Sequence, residues 1–147
     1  SVSTVGVIPG IERMTSEFPN VNLAFSLHTP FHDQRSALMP ANKTYPLPEV
    51  LKVLDKHVEH TRRKIFLSYL ILEGENDSEE HAKGILDLVA QRPAAVRHLF
   101  HVNLLRFNPA LGLPFSRASE NRFQRFLHGL TTGGVSVSTR QSFGVDI

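Results

Sequence analysis

Small polar side chains stand where the apolar runs of this sequence stop. The stretch VNLAFSLHTP at 21–30 alternates Val21, Leu23, Phe25 and Leu27 with Asn22, Ala24 and Ser26, then ends on Ser26, His28 and Pro30. A strand that only had to turn would use Gly, Asn or Asp. Ser3, Thr4 and Gly6 close the first apolar run, and Glu73, Asn76 and Asp77 close the third. Asn108 closes the fourth, and Arg140, Gln141 and Ser142 the fifth. Hydroxyls, amides and an imidazole in such places suit hydrogen bonding to a ribose, an amino acid or a phosphate. They form no Ser/His/Asp triad by sequence order, because such triads are recognised by geometry.

A structural role stands beside each chemical one. Ser3 and Thr4 can satisfy backbone groups at a strand end. His28, next to Pro30, can be a packed loop histidine. Asn108 precedes Pro109 and can open a turn. Asn76-Asp77-Ser78 reads as a turn followed by a helix N-cap rather than a catalytic site. Among the eight histidines, His57 and His60 stand three apart, as do His98 and His101, and neither pair has a third ligand in view. Without cysteine the 147 residues hold no disulfide, thiol nucleophile or thiolate metal ligand. Neither GxGxxG nor GxxxxGK[ST] occurs, so the glycine-rich phosphate loops are absent. A net charge of +2 permits a nucleic-acid partner without arguing for one. TRRK at 61–64 reads as a solvated run that could touch phosphate.

These residues are positioned by strands that alternate with helices. Strands are expected at 1–5, 21–27, 64–72, 99–107 and 135–139, and helices at 9–17, from Pro48, from Ser78 and from Ser119. The stretch 28–47 reads as a polar connection. Gly133 or Gly134 is expected to end the last helix. The pattern βαβαβαβαβ implies parallel strands in one α/β domain spanning 1–147. An open doubly wound sheet and part of a (β/α) barrel both fit. Either would place its working residues at the C-terminal strand ends. No apolar run approaches the roughly 20 residues needed to span a bilayer, so no membrane partner is expected.

Six motifs in order carry a resemblance. VSTVGVIPGIERM, VNLAFSLHTP, RSALMPANKTYPL, YLILEGENDSEEHA, VNLLRFNPALGLPFSRAS and STRQSFGVDI resemble the C-terminal half of the radical S-adenosylmethionine methyltransferases that act on adenine C2 of rRNA and tRNA (the RlmN/Cfr type). The resemblance runs from Ser3 to Ile147. It implies a partial (β/α) barrel and a [4Fe-4S] cluster, held by a CxxxCxxC loop outside this chain, that cleaves S-adenosylmethionine to a 5′-deoxyadenosyl radical. The radical takes hydrogen from a methyl group carried on a cysteine, expected just past Ile147, and the product adds to adenine C2. By position, the contacts to S-adenosylmethionine fall on Ser3, Ser26, Leu27, His28 and Asn108. Ser26 and His28 would bond polar atoms, Leu27 would pack against the cofactor, and Val5, Phe25, Leu27 and Phe107 would form an apolar wall.

The sequence also departs from the resemblance. Phe31-His32 stands where Asn-Asp is usual, Ser68 where an acid commonly precedes the Tyr, and Arg106 where a Pro is usual. Phe143 and Val145 interrupt an Arg-Gly-Asp-Asp run. Two readings follow. One is a fragment of an rRNA or tRNA methyltransferase that needs its missing N-terminal half for activity and solubility. The other is an inactive relative acting as an RNA- or ribosome-binding or assembly protein. The basic residues singled out for RNA are Arg35, Lys43, Arg117, Arg122 and Arg125, with a ribosomal particle as a further partner. The expected compartment is the cytoplasm, or a mitochondrion or plastid in a eukaryote. An unrelated barrel enzyme acting on a small phosphorylated substrate is the third reading.

Overall fold

The computed structural model describes residues 2–107 and 120–142, except for the side chains of Phe107, Gln141 and Ser142. Five strands form one sheet: β1 (Val2–Thr4), β2 (Leu23–Ser26), β3 (Ile65–Ile71), β4 (Phe100–Phe107) and β5 (Val137–Ser142). They lie side by side in chain order, and every neighbouring pair is parallel. A doubly wound sheet reverses its strand order at a switch point. Unbroken order is the barrel pattern, so the structure selects the second of the two architectures.

Side-chain alternation explains why the sheet has two unlike faces. Leu23, Phe25 and Leu27 point to the same side as Ile65, Leu67, Tyr69 and Ile71, and as Phe100, Val102 and Leu104, all buried. The helices α1 (Ile8–Glu17), α4 (Leu47–Thr61), α5 (Glu79–Ala90) and α6 (Glu120–Thr132) cover that side. Their buried stripes have helical spacing: Val50, Leu51, Leu54 and Val58 on α4, Ala82, Ile85 and Val89 on α5, and Phe123, Phe126 and Leu130 on α6. Ser78 caps α5 by accepting from the His81 N–H at 3.2 Å, with Glu79 and Glu80 in the first turn. The opposite face carries Ala24, Ser26, Phe66, Ser68, His101, Asn103 and Ser138, with Leu70 buried toward its far end.

The structure differs from the sequence expectation between 28 and 47. That connection contains two short helices, α2 (His32–Leu38) and α3 (Ala41–Thr44). Their buried residues are Arg35 and Asn42, which have no exposed surface. An apolar-periodicity reading cannot find a helix whose inward residue is a cation. Boundaries elsewhere move by one to three residues, and Gly134, with φ of +89°, takes the left-handed place beyond α6. Gly6 is required where it stands. Its φ is +107°, and an added Cβ would lie 3.1 Å from the Phe25 ring and 3.3 Å from Val50. Among the described residues, no helix is long and apolar enough to cross a membrane.

The one-sided core makes β3 its centre. Leu67→Ala should lower stability by about 2–5 kcal/mol, read by urea denaturation. A cost below about 1 kcal/mol would mean that the helix layer does not close on β3 as described.

Candidate functional site

The last residue of β2 is level with the interior of β3 and β4 and with the start of β5. Ser26 pairs in register with Ser68, Ser68 with Asn103, and Asn103 with Ser138. A polar rung therefore crosses four strands on the open face. Ser138 donates to Asn103 Oδ1 at 3.2 Å and also contacts His101 Nε2 at 2.8 Å. Ser3 is exposed and level with Ala24, so it shares this face one layer below Ser26. Ser3 and Ser26 are brought to one side on adjacent strands. Asn108 and Arg117 lie outside the described residues.

Beyond Ser26 the chain makes a turn that fixes the chemistry of His28. His28 has φ of +57°, a region rarely taken by residues other than glycine. Its neighbours hold it there. Its N–H reaches Ser68 O at 3.4 Å, and its carbonyl accepts from Asn76 Nδ2 at 2.9 Å. Its ring Nδ1 accepts from the Leu70 N–H at 2.9 Å. The imidazole thus takes up a backbone donor that β2, having ended at Ser26, no longer reaches. An accepting Nδ1 carries no proton, so in the neutral ring the proton is on Nε2. That Nε2–H is buried and has no protein partner among the described residues.

Asn76, which the sequence places in a turn, organises this corner. Fully buried, it donates to His28 O and to Leu70 O (2.7 Å), and its Oδ1 accepts from the Leu72 N–H at 2.8 Å. Tyr69 Oη donates to its carbonyl at 2.6 Å. The only sequence signal was an Asn shortly after a strand, which is also the signal of an ordinary turn.

A cavity of about 310 Å³ opens beside His28, lined by Val5, His28, Leu38, Met39, Pro40, Ala41, Leu70 and Leu72. Its size and apolar lining suit a small organic ligand. Two residues expected beside the cofactor do not line this cavity. Leu27 has no exposed surface and belongs to the core on the helix side, so its side chain does not line this cavity. Phe25 is on the helix side too. Strand alternation sends both away from the open face. Of the expected wall Val5 lines the cavity, joined by residues of the α2–α3 segment and the end of β3, while the Phe107 side chain lies outside the described residues. Burial, reinforced by the Arg35 cation, pushes the His28 imidazole down to about 4. The ring is therefore a neutral donor at neutral pH.

The other residues singled out from the sequence scatter. Arg35, expected at an RNA surface, is wholly buried and cannot serve there. Lys43 and Arg125 are exposed. Arg122 pairs with Asp77 at 2.6 Å. Arg106 pairs with Glu120 and lies over the Phe123 ring, so its departure from the resemblance is accommodated on the helix side. His57 bonds Thr15 Oγ1 at 2.8 Å between α4 and α1, and His98 lies in a 3-10 turn. No cluster of three metal-ligating side chains exists among the described residues.

The sign of the His28 effect on stability follows from its lowered value. The unfolded chain binds the proton first as pH falls, near the ordinary 6.5, and the folded chain only near 4. Its contribution is intact above about pH 6.5 and declines between there and about pH 4, by up to about 3 kcal/mol. Denaturation across this range should show a shallower pH slope in His28→Asn than in the unsubstituted protein. Equal slopes would mean that the imidazole is not buried neutral. Asn76→Ala should cost about 3 kcal/mol by the same measurement, since it orphans two carbonyls and one N–H.

No family model matches the chain. Large-subunit rRNA methyltransferases named Cfr do match it. The one from Shouchella clausii is 47% identical over an alignment of 149 positions that covers 100% of this chain and 42% of the relative. The one from Lachnoclostridium phytofermentans is 49% identical over an alignment of 150 positions that covers 100% of this chain and 43% of the relative. The chain thus spans about two fifths of the length of these curated relatives. Among solved structures, a radical SAM methyltransferase from Sphaerobacter thermophilus matches with a TM-score of 0.85 and 36% identity, over 99% of this chain and 41% of that one. A domain of a pyruvate-formate lyase-activating enzyme from Bacteroides vulgatus shares the fold at a TM-score of 0.67 and 17% identity, over 95% of this chain and 79% of that one. Sequence identity sustained from end to end, on a parallel sheet of matching shape, matches this chain to the C-terminal part of the radical S-adenosylmethionine methyltransferases of the Cfr type.

Proposed function

We propose that this chain grips S-adenosylmethionine at the C-terminal ends of its strands, as part of an enzyme that methylates C2 of adenine in rRNA or tRNA. The observation that carries the reading is the buried Nε2–H of His28, a residue that lines an apolar cavity and whose Nε2–H has no protein acceptor among the described residues. A buried donor left unmade costs about 1–3 kcal/mol, so a site that keeps one is built for an acceptor that arrives with a ligand. The ring nitrogens, ribose oxygens and carboxylate of S-adenosylmethionine are all acceptors. Ser26 and Ser3 would add hydroxyls from adjacent strands, and the motif adds Asn108. Val5, Leu38, Met39, Leu70 and Leu72 keep water from one side of the ligand. Bound S-adenosylmethionine would supply the methyl group and the radical chemistry of the family. This chain has no cysteine and does not fit an iron–sulfur cluster, which would be held by residues outside it.

RNA is the substrate class that the names of the relatives support. Among the described residues, Lys43, Arg122 and Arg125 are the exposed cations singled out by the sequence, Arg122 while paired with Asp77. Arg125 lines a groove between α5 and α6 together with Lys83, Arg122 and His128. The cytoplasm is the compartment that suits such a substrate.

A second reading, a relative that keeps the scaffold and the RNA surface without catalysis, is favoured by Ser68. It stands where the resemblance calls for an acid, on the open face in register with Ser26. The substitution thus lies at the proposed site rather than far from it.

Calorimetry on the anaerobically reconstituted full-length protein should give measurable binding of S-adenosylmethionine, weakened tenfold or more in His28→Ala, about 1.4 kcal/mol. Unchanged affinity in that variant would overturn the reading. Iron and sulfide analysis of the same sample separates the two readings, since a protein that binds no cluster supports the second. Lys43→Ala and Arg125→Ala should each reduce the slope of log affinity against log salt by about 1 on a structured RNA. An unaltered slope removes that residue from the RNA surface.

A further inference from the structure

Arg35 has no exposed surface, and no carboxylate pairs with it among the described residues. Its donors are nevertheless used in several directions. Nε–H donates to Leu27 O at 3.2 Å, one terminal nitrogen donates to Asn42 Oδ1 at 2.8 Å, and the other donates to Val5 O at 2.9 Å and to Ser26 O at 2.8 Å. The guanidinium lies 4.7 Å from the centroid of the Phe25 ring. Burial pushes its pKa down to about 10, which leaves it cationic at neutral pH.

The three carbonyls belong to the segments that leave β1 and β2. Those segments carry Val5 and His28 into the cavity. The fourth acceptor, Asn42, begins a chain of bonds across α2 and α3. Its Nδ2 donates to His32 O at 3.1 Å and to Ser36 Oγ at 2.8 Å, and it contacts His32 Nδ1 at 3.1 Å. Between Arg35 and Asn42 lie Leu38, Met39, Pro40 and Ala41, which form the cavity's other wall. One guanidinium therefore ties together both strand exits and the segment facing them. A buried cation without a counter-ion is an expensive way to fill space, and an apolar side chain would fill it at less cost. What an apolar side chain cannot do is span four acceptors in fixed directions.

We propose that Arg35 is a positioning residue for the ligand of the His28 cavity: it sets the spacing between the β1 and β2 exits and the Met39–Pro40 wall, and through them the place of His28 Nε2. The inference rests on the reading that this cavity takes S-adenosylmethionine. It removes Arg35 from the RNA surface and gives it a role at the cofactor end of the same protein.

The test uses the full-length, anaerobically reconstituted protein and three readouts: S-adenosylmethionine affinity by calorimetry, melting temperature, and affinity for a structured RNA. Arg35→Lys keeps the charge but loses the planar fork. It should weaken S-adenosylmethionine binding about tenfold, leave RNA affinity within about twofold, and add little when placed in His28→Ala, because the two act through one contact. Asn42→Ala keeps the Arg35 side chain but removes one of its four acceptors and loosens the wall, and should weaken binding in the same direction by about threefold. If Arg35→Lys does not fold, Asn42→Ala in its folded form decides the matter. The proposal is overturned if the unsubstituted protein binds S-adenosylmethionine, His28→Ala loses it, and the folded Arg35 or Asn42 variant binds as before. It is likewise overturned if S-adenosylmethionine and RNA affinities fall together, the mark of a merely structural role. An unsubstituted protein that does not bind S-adenosylmethionine defeats the cavity reading itself.

Discussion

A parallel strand that stops leaves carbonyls with no next residue opposite them, and buried carbonyls must find donors. At the exits of β1 and β2 the donors come from a side chain. Arg35 supplies them to Val5, Ser26 and Leu27 from within α2. The rest of the rim follows from this arrangement. Because these carbonyls are held, the chain can turn at His28 into the left-handed region, and the imidazole can swing back to meet Leu70. The neighbouring corner uses Asn76 in the same way, with an amide serving two carbonyls and one N–H. Two polar side chains, both fully buried, replace the ladder that the strands no longer supply.

The chemistry of the rim is a consequence of that replacement. A histidine whose Nδ1 is committed to a backbone donor has one tautomer available when neutral, and burial with a nearby cation keeps it neutral. It can only donate, and only from Nε2. The cavity that His28 lines is otherwise apolar. The unlike faces of the sheet serve the same end. The helix side is closed by Leu, Ile, Val and Phe, while the other side carries the rung Ser26–Ser68–Asn103–Ser138. Such a face belongs toward the inside of a barrel, in agreement with the shape shared with the Sphaerobacter thermophilus enzyme.

The departures from the family pattern differ in weight once placed. Arg106 is absorbed on the helix side by Glu120 and Phe123 and leaves the open face untouched. Ser68 lies on the open face beside Ser26 and changes what a ligand would meet. Phe31 rests against the His81 ring, with centroids 4.9 Å apart, at the mouth of α5. Phe143 and Val145 lie beyond the described residues.

Much of the scaffold could be read from the amino acids alone. The five strands, the helices with apolar stripes, the Ser78 cap and the parallel alternation follow from periodicity and local capping, which act over a few residues. The polar strand exits Ser26 and His28 were legible for the same reason, since they stand where an alternating apolar run stops. Strand order was not legible, because both competing sheets share one string of elements and differ only in which strands meet. Nor were α2 and α3, whose inward residues are Arg35 and Asn42. The roles of Leu27 and Arg35 were reversed by the fold. Parity along β2 turned the leucine into the core, and the arginine entered because three carbonyls from two distant segments converge where its fork can reach them. Such convergence is a property of the folded rim alone, as residues far apart in the chain become neighbours only when the strands align.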